Sequence, residues 1–141
     1  MKVAIVFETH TGITAAAAEQ MAEIVRKAGH ECSVESISNA DGKIVARAGA
    51  IVLGAWTKGY FIILQRPSEG MMSFIEGMSI NNKRVAVFAT YKLALGSTLT
   101  KMANAVEASG GKVTGMYKVK GPKVPPGFEA WVQSLDSGAA V

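Results

Sequence analysis

Three β-rich segments of this chain that are apolar without a break restrict the fold more than any other feature. They are residues 3–7 (VAIVF), 50–53 (AIVL) and 85–89 (VAVFA). A strand with one wet face alternates apolar and polar residues; a strand apolar at every position buries both faces. Such strands belong inside a sheet covered by helices on both sides, which is the usual setting of parallel β-structure.

The intervening segments supply those helices. Residues 14–28 place Ala17, Met21, Ile24, Val25 and Ala28 on one face, and Gly29 is a natural terminator. Residues 31–37 alternate Cys32, Val34 and Ser36 with polar neighbours, the pattern of an edge strand. A short helix is expected within 40–48, and a long irregular connection over 54–67. Residues 68–78 read as a helix with Ser68 as cap and Glu69 in its first turn. A loop over 90–96 precedes a helix over 97–109, which carries Leu99, Met102, Ala103 and Val106 on one face. Residues 112–119 form a fifth strand. After Pro125 and Pro126, a last helix sets Phe128, Trp131, Val132 and Leu135 at helical spacing. Trp131 thereby reads as a core residue.

Strand and helix alternate through 141 residues with no linker, repeat or low-complexity tract. The expectation is a single domain, 1–141, with an α/β fold: a three-layer, doubly wound sandwich around a parallel sheet. The chain is too short for an eight-stranded barrel. In such sheets ligands bind beyond the carboxyl ends of the strands. Three loops leave those ends, at 8–13, 54–67 and 90–96.

Composition narrows the function. Hydrophobic residues make up 49% and charged residues 18%, enough for a real core. One cysteine, Cys32, rules out a disulfide framework, and with His10 and His30 it cannot build a Cys/His-only zinc site. No apolar run approaches the ~20 residues of a membrane span, and the apolar start is too short for a signal-peptide core. The expectation is a cytoplasmic protein with a reduced thiol and no membrane span. The net charge of +4 is spread along the chain with no basic run or basic–aromatic interleaving, so nucleic acid is not the expected partner. No Cys–His pair, Ser–His–Asp set or paired carboxylates with a clear role stand out.

The first of the three loops carries the strongest signal. Thr9-His10-Thr11-Gly12-Ile13-Thr14 sets three hydroxyls and a glycine at the start of an alanine-rich helix. A helix start presents unpaired N–H groups and about half a positive charge, and Gly12 lets the backbone curl close to a ligand. The result is an anion cradle of neutral donors, since the loop holds no Lys or Arg. It is neither a Walker loop nor a GxGxxG turn. The alternative is ordinary helix capping by Thr11 or Thr14.

At these residues the chain resembles the flavodoxin family, over essentially its whole length. The loop looks like the family's Ser/Thr-x-Thr-Gly-x-Thr loop, which holds the phosphate of FMN. Gly54, Ala55, Trp56, Thr57, Lys58 and Gly59 lie where the second flavin loop leaves strand three. Thr90, Tyr91, Lys92, Leu93, Ala94, Leu95 and Gly96 lie where the third leaves strand four. The resemblance implies a five-stranded sheet of order 2-1-3-4-5 in a short-chain form. It also implies FMN as cofactor and Thr9, His10, Thr11, Gly12, Ile13, Thr14, Ala55, Trp56, Thr57, Lys58, Gly59, Thr90, Tyr91, Lys92 and Gly96 as its contacts. Hydroxyls of Thr9, Thr11 and Thr14 would face the phosphate. Trp56 and Tyr91 would flank the ring, unless they instead cap the core; Tyr60 and Phe61 are weaker candidates.

The chain departs from the family in charge. Flavodoxins are generally acidic around the flavin, whereas residues 54–68 carry Lys58 and Arg66 and no acid. Residues 77–106 have no acid either, but carry Lys83, Arg84, Lys92 and Lys101. The implied function is electron transfer through FMN to a redox partner protein with an acidic docking face. The alternatives are an FMN-dependent NAD(P)H or quinone oxidoreductase, with Lys58, Arg66 or Lys92 receiving an anionic substrate, and a flavodoxin-like module that has lost FMN. A phospho-receiver would need acids after strand one and an aspartate after strand three, where this chain has Glu8 and Gly54-Ala55.

Overall fold

Side chains along the central strands alternate between two separate cores. Val3 and Ile5, Ala50 and Val52, and Ala86 and Phe88 face one layer. Ala4 and Val6, Ile51 and Leu53, and Val85 and Val87 face the other. All are at most 2% exposed, as the unbroken apolar runs require.

The computed structural model describes residues 1–60, 63–91 and 95–137, with the backbone alone at 58–60, 63–66 and 137. In chain order the elements are β1 (Lys2–Phe7), α1 (Ile13–Lys27), β2 (Glu31–Ser36), α2 (Gly42–Arg47), β3 (Ala50–Trp56), β4 (Lys58–Tyr60) and β5 (Ile63–Arg66). They continue with α3 (Glu69–Glu76), β6 (Arg84–Thr90), α4 (Thr98–Ala108), β7 (Lys112–Val119) and α5 (Phe128–Ser137). The main sheet has the order β2-β1-β3-β6-β7 and every pairing in it is parallel. Leaving aside the hairpin β4–β5, this is the 2-1-3-4-5 order that the resemblance implied. α1 and α5 contribute Ala17, Met21, Val25, Phe128, Trp131 and Leu135 to the first core. α2, α3 and α4 contribute Val45, Met71, Ile75, Leu99, Met102 and Val106 to the second.

Local chemistry sets the helix ends. Asp41 Oδ1 accepts from the Lys43 N–H at 2.8 Å and starts α2. Lys83 Nζ donates to the carbonyls of Ala46 and Ala48 at 2.6 and 2.5 Å, satisfying acceptors where α2 ends. Ser68 Oγ accepts from the Met71 N–H at 3.2 Å and caps α3 as its sequence suggests. Trp131 is core, as its helical spacing indicates, and its Nε1–H donates to Thr114 Oγ1 at 2.8 Å.

The segment expected to be irregular is not. β3 runs three residues past its apolar stretch to Trp56, because its ladder to β6 continues through Gly54↔Phe88, Ala55↔Ala89 and Trp56↔Thr90. The chain then forms an antiparallel hairpin, with Lys58 opposite Arg66 and Tyr60 opposite Ile63. The β-rich run Tyr60-Phe61-Ile62-Ile63-Leu64 was its only signal; Phe61 lies outside the described residues.

Gly54 shows how tightly the sheet is filled. A Cβ at this position would collide with the ring of Phe88, its partner on β6. Gly54→Ala therefore overpacks the first core, at a cost of about 1–3 kcal/mol. Thermal unfolding should show a Tm several degrees lower, and adding Phe88→Leu should recover part of the loss.

Candidate functional site

Because β1, β3 and β6 are parallel, their carboxyl ends open on one edge of the sheet. α1 leaves β1 on one face, while α2 delivers the chain to β3 from the other, so a crevice opens between them. The Glu8 N–H donates to the Gly54 carbonyl at 2.9 Å and fixes the floor of that crevice.

The loop from Thr9 to Gly12 is exposed and held by one internal bond, in which the Gly12 N–H donates to Thr9 Oγ1 at 3.0 Å. Gly12 has φ 91°, in the left-handed region, and serves as the N-cap of α1 with no side-chain cap. Capping by Thr11 or Thr14 is therefore not what these residues do. Ala16 gives the first intrahelical bond, to the Gly12 carbonyl. The N–H groups of Ile13, Thr14 and Ala15 find no acceptor among the described residues. Thr9 accepts with its oxygen and keeps its hydroxyl proton to donate. What results is a left-handed turn with unpaired donors at the positive end of a 15-residue helix, the chemistry of an anion site.

Thr14 sits differently from its neighbours. It is 1% exposed, and its hydroxyl lies 2.7 Å from Thr90 Oγ1 at the end of β6. Its backbone N–H has no acceptor among the described residues, while its hydroxyl is paired with that of Thr90.

The other two loops meet this cradle. The imidazole of His10 stacks on Trp56, with ring centroids 4.6 Å apart and planes inclined by 24°. Trp56 is thus half-buried against the first loop rather than inside the core. The Thr57 N–H donates to the Thr90 carbonyl at 2.9 Å. Thr57 Oγ1 is buried and has no hydrogen-bond partner among the described residues, so a polar position beside Trp56 is left open. Tyr91 is half-buried, and its N–H donates to the Val119 carbonyl at 3.1 Å. Ala55 points into the second core, so only its backbone reaches the edge. Gly96 is exposed, with φ 58°, in the turn before α4. Lys58 and Gly59 are placed by backbone alone, in β4, and Lys92 lies outside the described residues.

The sequence reading overlooked two features. Glu8 is half-buried, and its carboxylate lies where a Cβ on Gly70 would sit, in the first turn of α3. A carboxylate beside a helix N-terminus is favoured by the helix dipole. Glu8 therefore brings a carboxylate to the edge that β1 and β3 share. The other feature is the Thr14–Thr90 pair. No local pattern announces it, because the partners are 76 residues apart.

The family model for flavodoxin matches residues 5–133. No curated protein matches the chain by sequence. Among solved structures, the two-electron reduced flavodoxin of Megasphaera elsdenii is 21% identical with a TM-score of 0.79, covering 97% of this chain and 99% of that one. Rubredoxin oxygen:oxidoreductase from Desulfovibrio gigas is 20% identical with a TM-score of 0.72, covering 99% of this chain but 35% of that larger one. A mutant flavodoxin of Fusobacterium nucleatum bound to flavin mononucleotide is 15% identical with a TM-score of 0.63, covering 79% and 66%.

The cradle makes a direct prediction. Gly12→Ala forces a side chain into the left-handed region, at a cost of about 1–2 kcal/mol, and Thr9→Ala removes the acceptor that shapes the loop. Each should weaken FMN binding by about tenfold or more, measured by flavin fluorescence titration. Unchanged affinity in both would remove the phosphate from this loop.

Proposed function

The chain belongs to the flavodoxin family, and from that premise we propose that it is a single-domain electron carrier, 1–141, holding FMN across the edge formed by β1, β3 and β6. The observation that carries the reading is the uncapped start of α1, whose unpaired N–H groups follow the left-handed Gly12. The donor set fits the cofactor: neutral N–H and hydroxyl groups of residues 9–14 suit a phosphate, and the orphaned Thr57 Oγ1 beside Trp56 suits a polar ring edge. The redox chemistry is supplied by FMN when bound, and the protein provides position, dryness and charge. Thr9, His10, Thr11, Gly12, Ile13 and Thr14 bind the phosphate. Trp56 and Tyr91 shield the flat ring from water, with Thr57, Gly59, Thr90 and Gly96 shaping the loops around it.

Charge sets the partner. Lys58 and Arg66 are register partners at the base of the hairpin that leaves β3, with no acid between them in sequence. Lys58, Arg66 and Lys92 add three cations to the second and third loops without an acid between 54 and 68, a charge that suits a redox partner with an acidic face. The compartment is the cytoplasm. Burial pushes the Cys32 thiol up to about 11, so it stays protonated there and takes no part.

Cations near the ring favour the negative charge that full reduction adds. One cation at about 8 Å is worth roughly 2 kcal/mol at an effective dielectric near 20, before screening. Glu8 offsets part of this. The potential for full reduction should be less negative than is usual in flavodoxins, and Lys58→Glu with Lys92→Glu should lower it by tens of millivolts in potentiometry. An unchanged potential sinks the electrostatic argument. Association with the partner should slow as salt is added; a salt-independent rate sinks the acidic docking face.

A further inference from the structure

Thr90 closes β6 and is bonded to the first turn of α1 and to the loop after β3 while beginning the third loop. Its hydroxyl meets Thr14 Oγ1 in the first turn of α1 at 2.7 Å, with the two residues 4% and 1% exposed. Its carbonyl accepts from Thr57, the first residue past β3, at 2.9 Å. Its backbone is locked on both sides, opposite Trp56 on β3 and Val119 on β7. α1 has no side-chain cap, so the cap residue Gly12 holds this first turn only by its carbonyl, which accepts from the Ala16 N–H.

Resting on the reading that residues 9–14 hold the FMN phosphate, we propose that Thr90 is a positioning residue for that cradle, acting through Thr14 rather than by touching the phosphate. The Thr90 bond draws the Thr14 side chain inward and fixes the first turn of α1 to the rigid centre of the sheet. The N–H groups of Ile13, Thr14 and Ala15 are then set as donors before any ligand arrives, which lowers the ordering cost of binding. The same residue carries the backbone that starts the third loop, so the phosphate cradle and the ring loops share one anchor.

The test compares FMN with riboflavin, which lacks the phosphate, in wild type, Thr90→Val, Thr90→Ser, Thr14→Val and the Val/Val double variant. Thr90→Val keeps the shape and removes the hydroxyl. It should weaken FMN about tenfold and leave riboflavin within about twofold, while Thr90→Ser restores FMN binding. The double variant should lose no more than the worse single one, since both break the same bond. In the cofactor-free protein, amide exchange at residues 13–16 should speed up about tenfold in Thr90→Val and return to wild-type rates in Thr90→Ser. Equal FMN affinity in wild type and Thr90→Val overturns the assignment, as does an equal loss for both flavins or an additive double variant. A wild-type protein that takes up no FMN overturns the cradle reading and this assignment together, which separates the two failures. If Thr90→Val does not fold, Thr90→Ala carries the same comparison.

Discussion

The burial of both faces of β1, β3 and β6 is the constraint on which the other features rest. Each strand sends alternate side chains into two cores, and neither core can be left open to water without exposing a row of valine, isoleucine and leucine. At roughly 25 cal/mol per Å² of apolar surface, one uncovered strand face would cost several kcal/mol, a large part of a typical domain's stability. Helices must therefore lie on both sides. Parallel strands also need crossover connections, so the helices that cover the sheet are the same ones that connect it.

The functional edge follows from that arrangement. A chain that winds to one face after β1 and arrives at β3 from the other leaves a gap at their carboxyl ends, where backbone groups have no ladder to join. The gap is lined with donors that have no partner among the described residues: the first turn of α1, whose cap residue supplies no side-chain bond, and the buried Thr57 hydroxyl. A site for a general acid or base would need a tuned side chain. An electron carrier needs only that the cofactor be gripped, kept dry and set in a chosen electrostatic field. The described residues at this edge suit the second task.

The field at the edge is a balance. The sequence brings Lys58 and Arg66 into the β4–β5 strands, and the fold sets the half-buried Glu8 against the start of α3. Glu8 is one residue past β1 and Lys58 two past β3. Their separation in the sequence gives no hint that they share an edge, because only the parallel pairing of β1 with β3 brings those ends together.

Much of this was legible in the residues alone. The unbroken apolar runs specify two-sided strands, Ser68 and the turns of apolar residues specify helices, and the threonine-and-glycine loop before α1 specifies an anion cradle. These are local patterns, and their physics acts within a few residues. Tertiary structure decided the rest. It carried β3 through to Trp56, because the ladder to β6 holds residues whose side chains need not be apolar. It paired 58–60 with 63–66 as antiparallel strands, laid His10 on Trp56, and set Glu8 against Gly70. It also set the Thr14 hydroxyl, buried, against that of Thr90. Each depends on partners far apart in the chain, and a hydrogen bond or stacked ring is a matter of distances of a few ångströms. The alternation of polar and apolar residues fixes which face a side chain takes, but not which residue it will meet there.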